Sequence, residues 1–386
     1  LFQPLLYQVA SGLIDPSEVA HPVRSVLRHA RNADVLMAEV TGVDLENRRV
    51  HTSAGDQRYD TLVLATGSAT NFFGMSRVED QSIGLKDLPE ALALRAHVLH
   101  AFEAASTCPD PARQRRLLTF VVAGAGATGV EYSGALAELI RHVLPHDFPR
   151  LDVHQARVIL IEGSDRVLGN FAKRLGKDAS RRLKRMGVEI MTGRLVKDVE
   201  GATVVLDNGQ RIEAETIVWT AGVRATPVAA MLGVEPMSLG RVPITRALNV
   251  AGHEDVFVIG DAAELTVKGE PLPMLAPVAI QQGRHIAKLI AARLQGKPDP
   301  TFRYFDKGTM ATVGRGAAVV QLGPVKIDGL IGWLMWVFVH LLYLVGFRSR
   351  IIVFVSWAFN YFFYDRPVRL IIGKSADERR ITREEA

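Results

Sequence analysis

Short apolar runs rich in β-branched residues alternate along most of this chain with stretches of helical periodicity, the pattern of an α/β protein. Tyr59–Ala65 (YDTLVLA) predicts a strand running into Thr66-Gly67, and Leu117–Ala123 (LLTFVVA) predicts a second, uniformly apolar as buried parallel strands are. A helix is expected from about Gly129 to Val143, a strand at Val158–Ile161, and a helix over Leu175–Met186 that stops at Gly187. Short strands follow at Val188–Met191, Val204–Leu206 and Arg211–Glu213, the last two joined by an Asn208-Gly209 hairpin turn. Thr216–Thr220 and Val256–Ile259 read as buried strands ending at Ala221-Gly222 and Gly260-Asp261, and Val278–Leu294 as a helix. Pro145–Gln155 reads as an inserted loop, and Arg113–Arg116 as a solvated loop before a strand.

After about Gly323 the pattern changes. Leu330–Phe347 (LIGWLMWVFVHLLYLVGF) has His340 as its one ionisable group; after Arg348-Ser349-Arg350 comes a second apolar run, Ile351–Tyr364 (IIVFVSWAFNYFFY). The first run is at the short end of the ~20 residues that span a bilayer, and the second is shorter and contains Asn360. A spanning hairpin and a buried core or homodimer face are alternatives. The expected arrangement is a monotopic anchor lying in the membrane interface, with Trp333, Trp336, Tyr343, Trp357 and Tyr361 at headgroup level. Charge favours it, since from Lys326 to Lys374 six basic residues oppose only Asp328 and Asp365. His340, alone on an apolar helix, is expected to be a packing residue, and the charged end Ser375–Ala386 to fray.

The most informative stretch is Gly124-Ala125-Gly126-Ala127-Thr128-Gly129, a G-x-G-x-x-G that follows a predicted strand and opens a predicted helix. In that context Gly124 makes the tight turn, Gly126 lets backbone N–H groups reach a pyrophosphate, and Gly129 allows helix and strand to approach. The next strand ends in Glu162, suited to a ribose 2′-hydroxyl, so NADH is expected over NADPH, with Arg166 close enough to moderate the preference. Glu131 lies on the first turn of that helix. There an anion favours the helix dipole, and a sharper role facing the nicotinamide is equally open.

Composition narrows the chemistry. The formal charge is +5, and no fold signal for nucleic acid accompanies the basic run at Arg113–Arg116. The single cysteine, Cys108, excludes a disulfide framework and a redox-active cysteine pair, and no metal-ligand spacing is seen. Asp255–Ala262 (DVFVIGDA) delivers Gly260-Asp261 from a strand end, where the carboxylate can accept from a ribityl hydroxyl, and Ala276 opens a helix whose free N–H groups suit an electron-rich flavin edge.

These pieces resemble the flavoproteins with two dinucleotide-binding domains, and most closely the type II, non-proton-pumping NADH:quinone oxidoreductases. The resemblance rests on Phe2–Ala10 (FQPLLYQVA), Gly124–Glu131 (GAGATGVE), Trp219–Val223 (WTAGV), Asp255–Ala262, Ala276–Gly283 (APVAIQQG), Gly308–Arg315 (GTMATVGR) and the Trp-rich tail. It implies two Rossmann-like domains, an FAD-binding one over 1–116 and 246–305 with an NADH-binding one over 117–245 inserted, and a membrane-association region over 306–386. It implies FAD and NADH as cofactors, a quinone and a lipid surface as partners, and a peripheral place on the cytoplasmic face of the membrane. By the same resemblance Glu131 stands beside the nicotinamide, Thr66, Gly67, Gly260 and Asp261 serve FAD, Thr128 and Gly222 belong to the NADH site, and Ala276 with Gln281 lies where flavin meets quinone. Pro277 stands where many members have Gln. Related reductases that use cysteine chemistry need nucleophilic thiols, which Phe2–Gln8 lacks. A soluble NAD(P)H-dependent reductase serving a protein acceptor, and a non-catalytic NADH-binding protein, are the rival functions.

The family's first βαβ unit, with its own glycine motif for FAD, has no counterpart before Tyr59, so roughly 35–45 residues are expected upstream of Leu1. The chain as given is therefore expected to purify colourless, and a stoichiometric flavin absorption spectrum would contradict this.

Overall fold

The computed structural model describes residues 1–363, 366 and 368–371; Tyr364, Asp365, Lys374 and the end 375–386, invoked above, lie outside the described residues. The chain forms two compact units, one from Leu1–Val26, Phe72–Gly222 and the chain from Gly308 on, the other from Leu27–Asn71 and Val223–Lys307.

The first unit is built on a five-stranded parallel sheet, in the order Ile83–Gly84, Thr216–Trp219, Thr119–Ala123, Arg157–Glu162 and Val188–Thr192. Its central strand is buried along its whole length, the reason it reads as an unbroken apolar run. The helix after the glycine motif spans Ala127–Glu138 and widens into a π turn over Leu139–Val143. A short helix, Leu144–Asp147, and a 3-10 turn, Val153–Gln155, make up most of the expected insertion. Lys173–Arg185 is the predicted helix, and Gly187 ends it with φ of 80°.

Two elements depart from the sequence reading. Leu88–Thr107 is a 20-residue helix whose apolar residues do not fall on one stripe, so it shows no clean periodicity. Its start is nevertheless written locally: the Asp87 side chain accepts from Glu90 N–H and the Glu90 carboxylate accepts from Asp87 N–H, with Pro in the first turn. Arg113–Arg116 is not a loop but part of the helix Pro111–Leu117, capped by Asp110.

The second unit contains a three-stranded sheet, Asn249–Val250, His253–Val258 and Leu62–Leu64, the last two parallel. It also holds a meander of Val40–Asp44, Arg49–Thr52 and Gln57–Arg58, and the helix Ala276–Leu294.

After Gly308 the chain returns to the first unit. An antiparallel sheet of Thr309–Thr312, Ala318–Leu322 and Val325–Asp328 precedes two helices, Gly329–Tyr343 and Phe347–Phe363. The break at Leu344–Gly346 splits the first apolar run, and no helix among the described residues is long and apolar enough to cross a membrane. The sequence expectation put Trp336 and Trp357 at headgroup level. Instead both are buried, their rings 5.1 Å apart, and the Trp357 Nε1–H donates to Gln8 Oε1 at 2.7 Å. The Trp357 indole is thus buried with its N–H satisfied, whereas the buried Trp336 Nε1–H has no hydrogen-bond partner among the described residues. Gly332 permits this approach, since a Cβ there would lie 2.6 Å from the Ala318 carbonyl oxygen. The outward stripe is Leu330, Leu334, Phe338 and Leu342 on the first helix and Ile351, Phe354, Val355, Phe359 and Phe362 on the second, all exposed.

The two faces predict opposite mutational costs. Trp336→Ala is expected to lower stability by about 3–5 kcal/mol in urea unfolding. Phe338→Ser on the outer stripe is expected to change it by less than ~0.5 kcal/mol.

Candidate functional site

In the first unit the glycine motif closes tightly on itself. Gly124 donates its N–H to Ile161 O at 2.8 Å and has φ of 97°; a Cβ there would fall 2.5 Å from Ala221 Cα. At Gly129 a Cβ would sit 1.9 Å from the Gly124 carbonyl oxygen, so only glycine lets the helix start so close to the strand. Gly126 differs, having no atom within 4 Å of its ideal Cβ position. That free space lies at the N-terminus of a helix whose first amides lack side-chain caps, with Thr128 exposed in its first turn, an anion cradle of the size and sign a pyrophosphate needs.

Two side chains hold the cradle in shape. Glu162 accepts from Ala125 N–H at 2.7 Å with one carboxylate oxygen and from Ser164 N–H at 2.8 Å with the other. Thr220, which sequence reasoning missed, donates to the carbonyls of Ala123 and Gly124, each at 2.9 Å. Gly222 sits under the Phe73 ring, which a Cβ would meet at 2.8 Å.

Glu131 lies on the same helix but points inward. It is buried, and its Oε1 accepts from Thr312 N–H at 3.1 Å. The Thr312 hydroxyl lies 2.8 Å from the Tyr7 hydroxyl, which accepts from Gln8 Nε2 at 3.0 Å, and Gln8 in turn accepts from Trp357. Burial pushes the Glu131 carboxyl up to about 8, a rise that the Thr312 hydrogen bonds only partly offset. Burial raises the Tyr7 phenol further, helped by the Glu131 charge, so it stays protonated. Burial therefore favours the uncharged form of Glu131. Tyr7, Gln8, Glu131, Thr312, Trp336 and Trp357 line part of a cavity of about 60 Å³, roomy enough for ordered water. None of Tyr7, Gln8, Thr312 or Trp357 was singled out individually from the sequence, although Phe2–Ala10 and Gly308–Arg315 stood out as strings. His340 is buried against Trp336, its Nδ1 2.7 Å from the Trp336 carbonyl oxygen, and burial lowers it to about 4.

The second unit gathers the other predicted residues. Asp261 accepts from the Ser68 hydroxyl at 2.5 Å, next to Thr66 and Gly67, and Gly67 has open space around its Cβ position. The Thr66 hydroxyl lies 2.6 Å from that of Thr226. Gln282, unmarked in the sequence reading, is buried and accepts from Gly260 N–H at 2.7 Å, tying that turn to the helix that begins at Ala276 without a side-chain cap. A carboxylate, an open glycine turn and a helix N-terminus suit the hydroxyls and electron-rich edge of a flavin nucleotide. The Gln281 amide is engaged by the backbone: Nε2 donates to the carbonyls of Pro277 at 3.1 Å and Phe305 at 2.9 Å, and Oε1 accepts from Phe305 N–H at 3.0 Å.

Comparison with known proteins places the chain in a family. Residues 1–283 match the sequence model of the pyridine nucleotide-disulphide oxidoreductase family. The chain is 42% identical over 379 residues to the type II NADH:quinone oxidoreductase Ndh of Mycobacterium tuberculosis, covering 94% of this chain and 80% of that protein. It is 32% identical over 368 residues to a probable NADH dehydrogenase of Dictyostelium discoideum, covering 92% and 81% of the two. The fold superposes on NDH2 of Plasmodium falciparum in complex with NADH with a TM-score of 0.85 at 18% identity, over 96% of this chain and 92% of that one.

The Glu131 carboxyl generates a stability prediction. Its folded pKa of about 8 exceeds the ordinary 4.5, so its contribution is full below the ordinary value and is lost as pH rises through the folded one. The Tm of Glu131→Gln relative to the wild type is therefore expected to climb by a few degrees (~2–6 °C) between pH 5 and pH 8.5 in calorimetry.

Proposed function

We propose a set of roles for the residues of a chain that belongs to the pyridine nucleotide-disulphide oxidoreductase family and, within it, to the type II NADH:quinone oxidoreductases. The enzyme oxidises NADH with FAD as cofactor and reduces a quinone without pumping protons. Bound FAD supplies the two-electron relay between the two substrates. The protein's part is to bind, orient and manage protons. The cradle at Gly124–Gly129 holds the NADH pyrophosphate, with Thr128 and Gly222 beside it, and Glu162 faces the ribose, where a carboxylate repels a 2′-phosphate. Thr66, Gly67, Gly260 and Asp261 hold the FAD, and Ala276 presents its N–H at the helix start to it. The engaged Gln281 amide supports a role in fixing the start of that helix.

Quinone reduction consumes protons as well as electrons, and Glu131 is the residue to hold one. The observation that carries this is its burial in the Thr312–Tyr7–Gln8 network with a carboxyl poised near neutrality. Turnover is expected to fall as pH rises through about 8, where the acid is lost. Glu131→Gln is expected to lower kcat by about 100-fold or more while changing the KM for NADH little, and to abolish that alkaline limb. Steady-state NADH:quinone kinetics against pH test this, and an unchanged kcat would refute it.

The outer stripe of the two C-terminal helices rests on the cytoplasmic face of a membrane. Its support is the set of exposed Leu, Ile and Phe side chains on both helices with the exposed Arg348 between them, which suits an anionic leaflet. In vesicle flotation the protein is expected to bind anionic vesicles more tightly than neutral ones. Replacing Phe338, Phe354 and Phe362 with Ser should release it; retention, with a change of oligomeric state instead, would assign the stripe to a homodimer.

A further inference from the structure

Arg366 is a deeply buried cation that the roles above do not use; only 2% of it is exposed. Its guanidinium donates to the Ser11 carbonyl at 3.0 Å and to Glu138 Oε2 at 3.3 Å. Glu138 closes the helix that carries Glu131, seven residues or two turns further on, about 10 Å along the axis. Its other oxygen accepts the backbone N–H of Arg315. Tyr7 is hydrogen-bonded to Thr312 in the network of Glu131 and feels the charge of both acids. Tyr7, Glu131, Glu138, Arg315 and Arg366 line one small cavity.

A close pair of opposite charges largely cancels beyond its own length. Removing one partner leaves the field of the other acting through a poorly screened interior. We propose that Arg366 is a positioning residue for the proton on Glu131: by neutralising Glu138 it sets the pH at which Glu131 changes state, and with it the pH range of turnover. This rests on the reading that the Glu131 proton takes part in turnover.

The other groups around Glu131 do not take this role. On its own helix, the Tyr132 phenol is raised by burial and stays neutral. Past the helix end, burial lowers His142, and Arg141 donates to the Arg185 carbonyl at 3.2 Å. From the strand side, the Arg315 guanidinium lies over the Tyr361 ring, 4.8 Å from its centroid. From the C-terminal helices, His340 is neutral against Trp336. Beyond Arg366, Arg369 pairs with Asp147 at 2.9 Å.

The test uses the enzyme supplied with saturating FAD and two readouts, the pH profile of kcat and an infrared titration of the protonated-carboxyl band. Arg366→Gln leaves the Glu138 charge uncompensated and is expected to move both midpoints up by about one pH unit. Glu138→Gln leaves the Arg366 charge and is expected to move them down by a similar amount. The double variant should return to within ~0.3 unit of the wild type, and Arg366→Lys should stay there. A purely structural role would lower stability or amplitude without this pattern of signs. Shifts of one sign in both single variants, no shift, or a double variant that does not recover would overturn the proposal. Should Arg366→Gln fail to fold, Glu138→Gln and the double variant, which buries no unpaired charge, decide alone. Glu131→Gln separates the two claims. If it keeps the alkaline limb, the Glu131 reading fails; if it removes the limb while the Arg366 and Glu138 variants leave it unmoved, only the role of Arg366 fails.

Discussion

The chain that runs from Glu131 through Thr312, Tyr7 and Gln8 to Trp357 is the contact on which the first unit depends. An acid cannot be buried without partners, and here the partners come from the start of the chain, from a strand about 180 residues beyond the acid and from the second C-terminal helix. Satisfying one carboxyl thus draws together segments that share no local structure. The Trp336–Trp357 core is the apolar counterpart of the same arrangement, and it gives the C-terminal helices a buried face as well as an exposed one.

The parts legible in the sequence are those whose cause is local. The glycine motif was readable because each glycine answers a clash or a free space within a few residues, and the Asn208-Gly209 hairpin because its turn geometry restricts residue choice. The parallel strands announced themselves by being apolar on both faces. The helix Leu88–Thr107 was hidden because its buried residues surround it, Arg95 among them, and only its capping box spoke for it. Of the candidate site, Glu131, Glu162 and Asp261 were found by their place relative to strand ends and helix starts. Tyr7, Thr312, Gln282 and Arg366 were not, because each works through a contact made in tertiary structure and leaves no trace in neighbouring residues.

The tail shows the same limit. Hydropathy read Leu330–Phe347 as apolar throughout and could not say which side faces in. Packing divides each helix, with tryptophan, histidine and small residues turned toward the sheet and leucine and phenylalanine turned out. Trp357 and His340 serve the interior here because Gln8 and a backbone carbonyl wait for them.

The two amides held by Glu162 bear on how coenzyme choice can change. A residue that only greeted the ribose could be exchanged freely for one that welcomes a phosphate. Glu162 also holds Ala125 within the glycine turn and Ser164 in the loop after its own strand, so its loss would unfasten the turn itself. With the role proposed above for Glu162, exchanging it for a residue that admits a 2′-phosphate also costs the turn these two bonds, so a second change must refasten it.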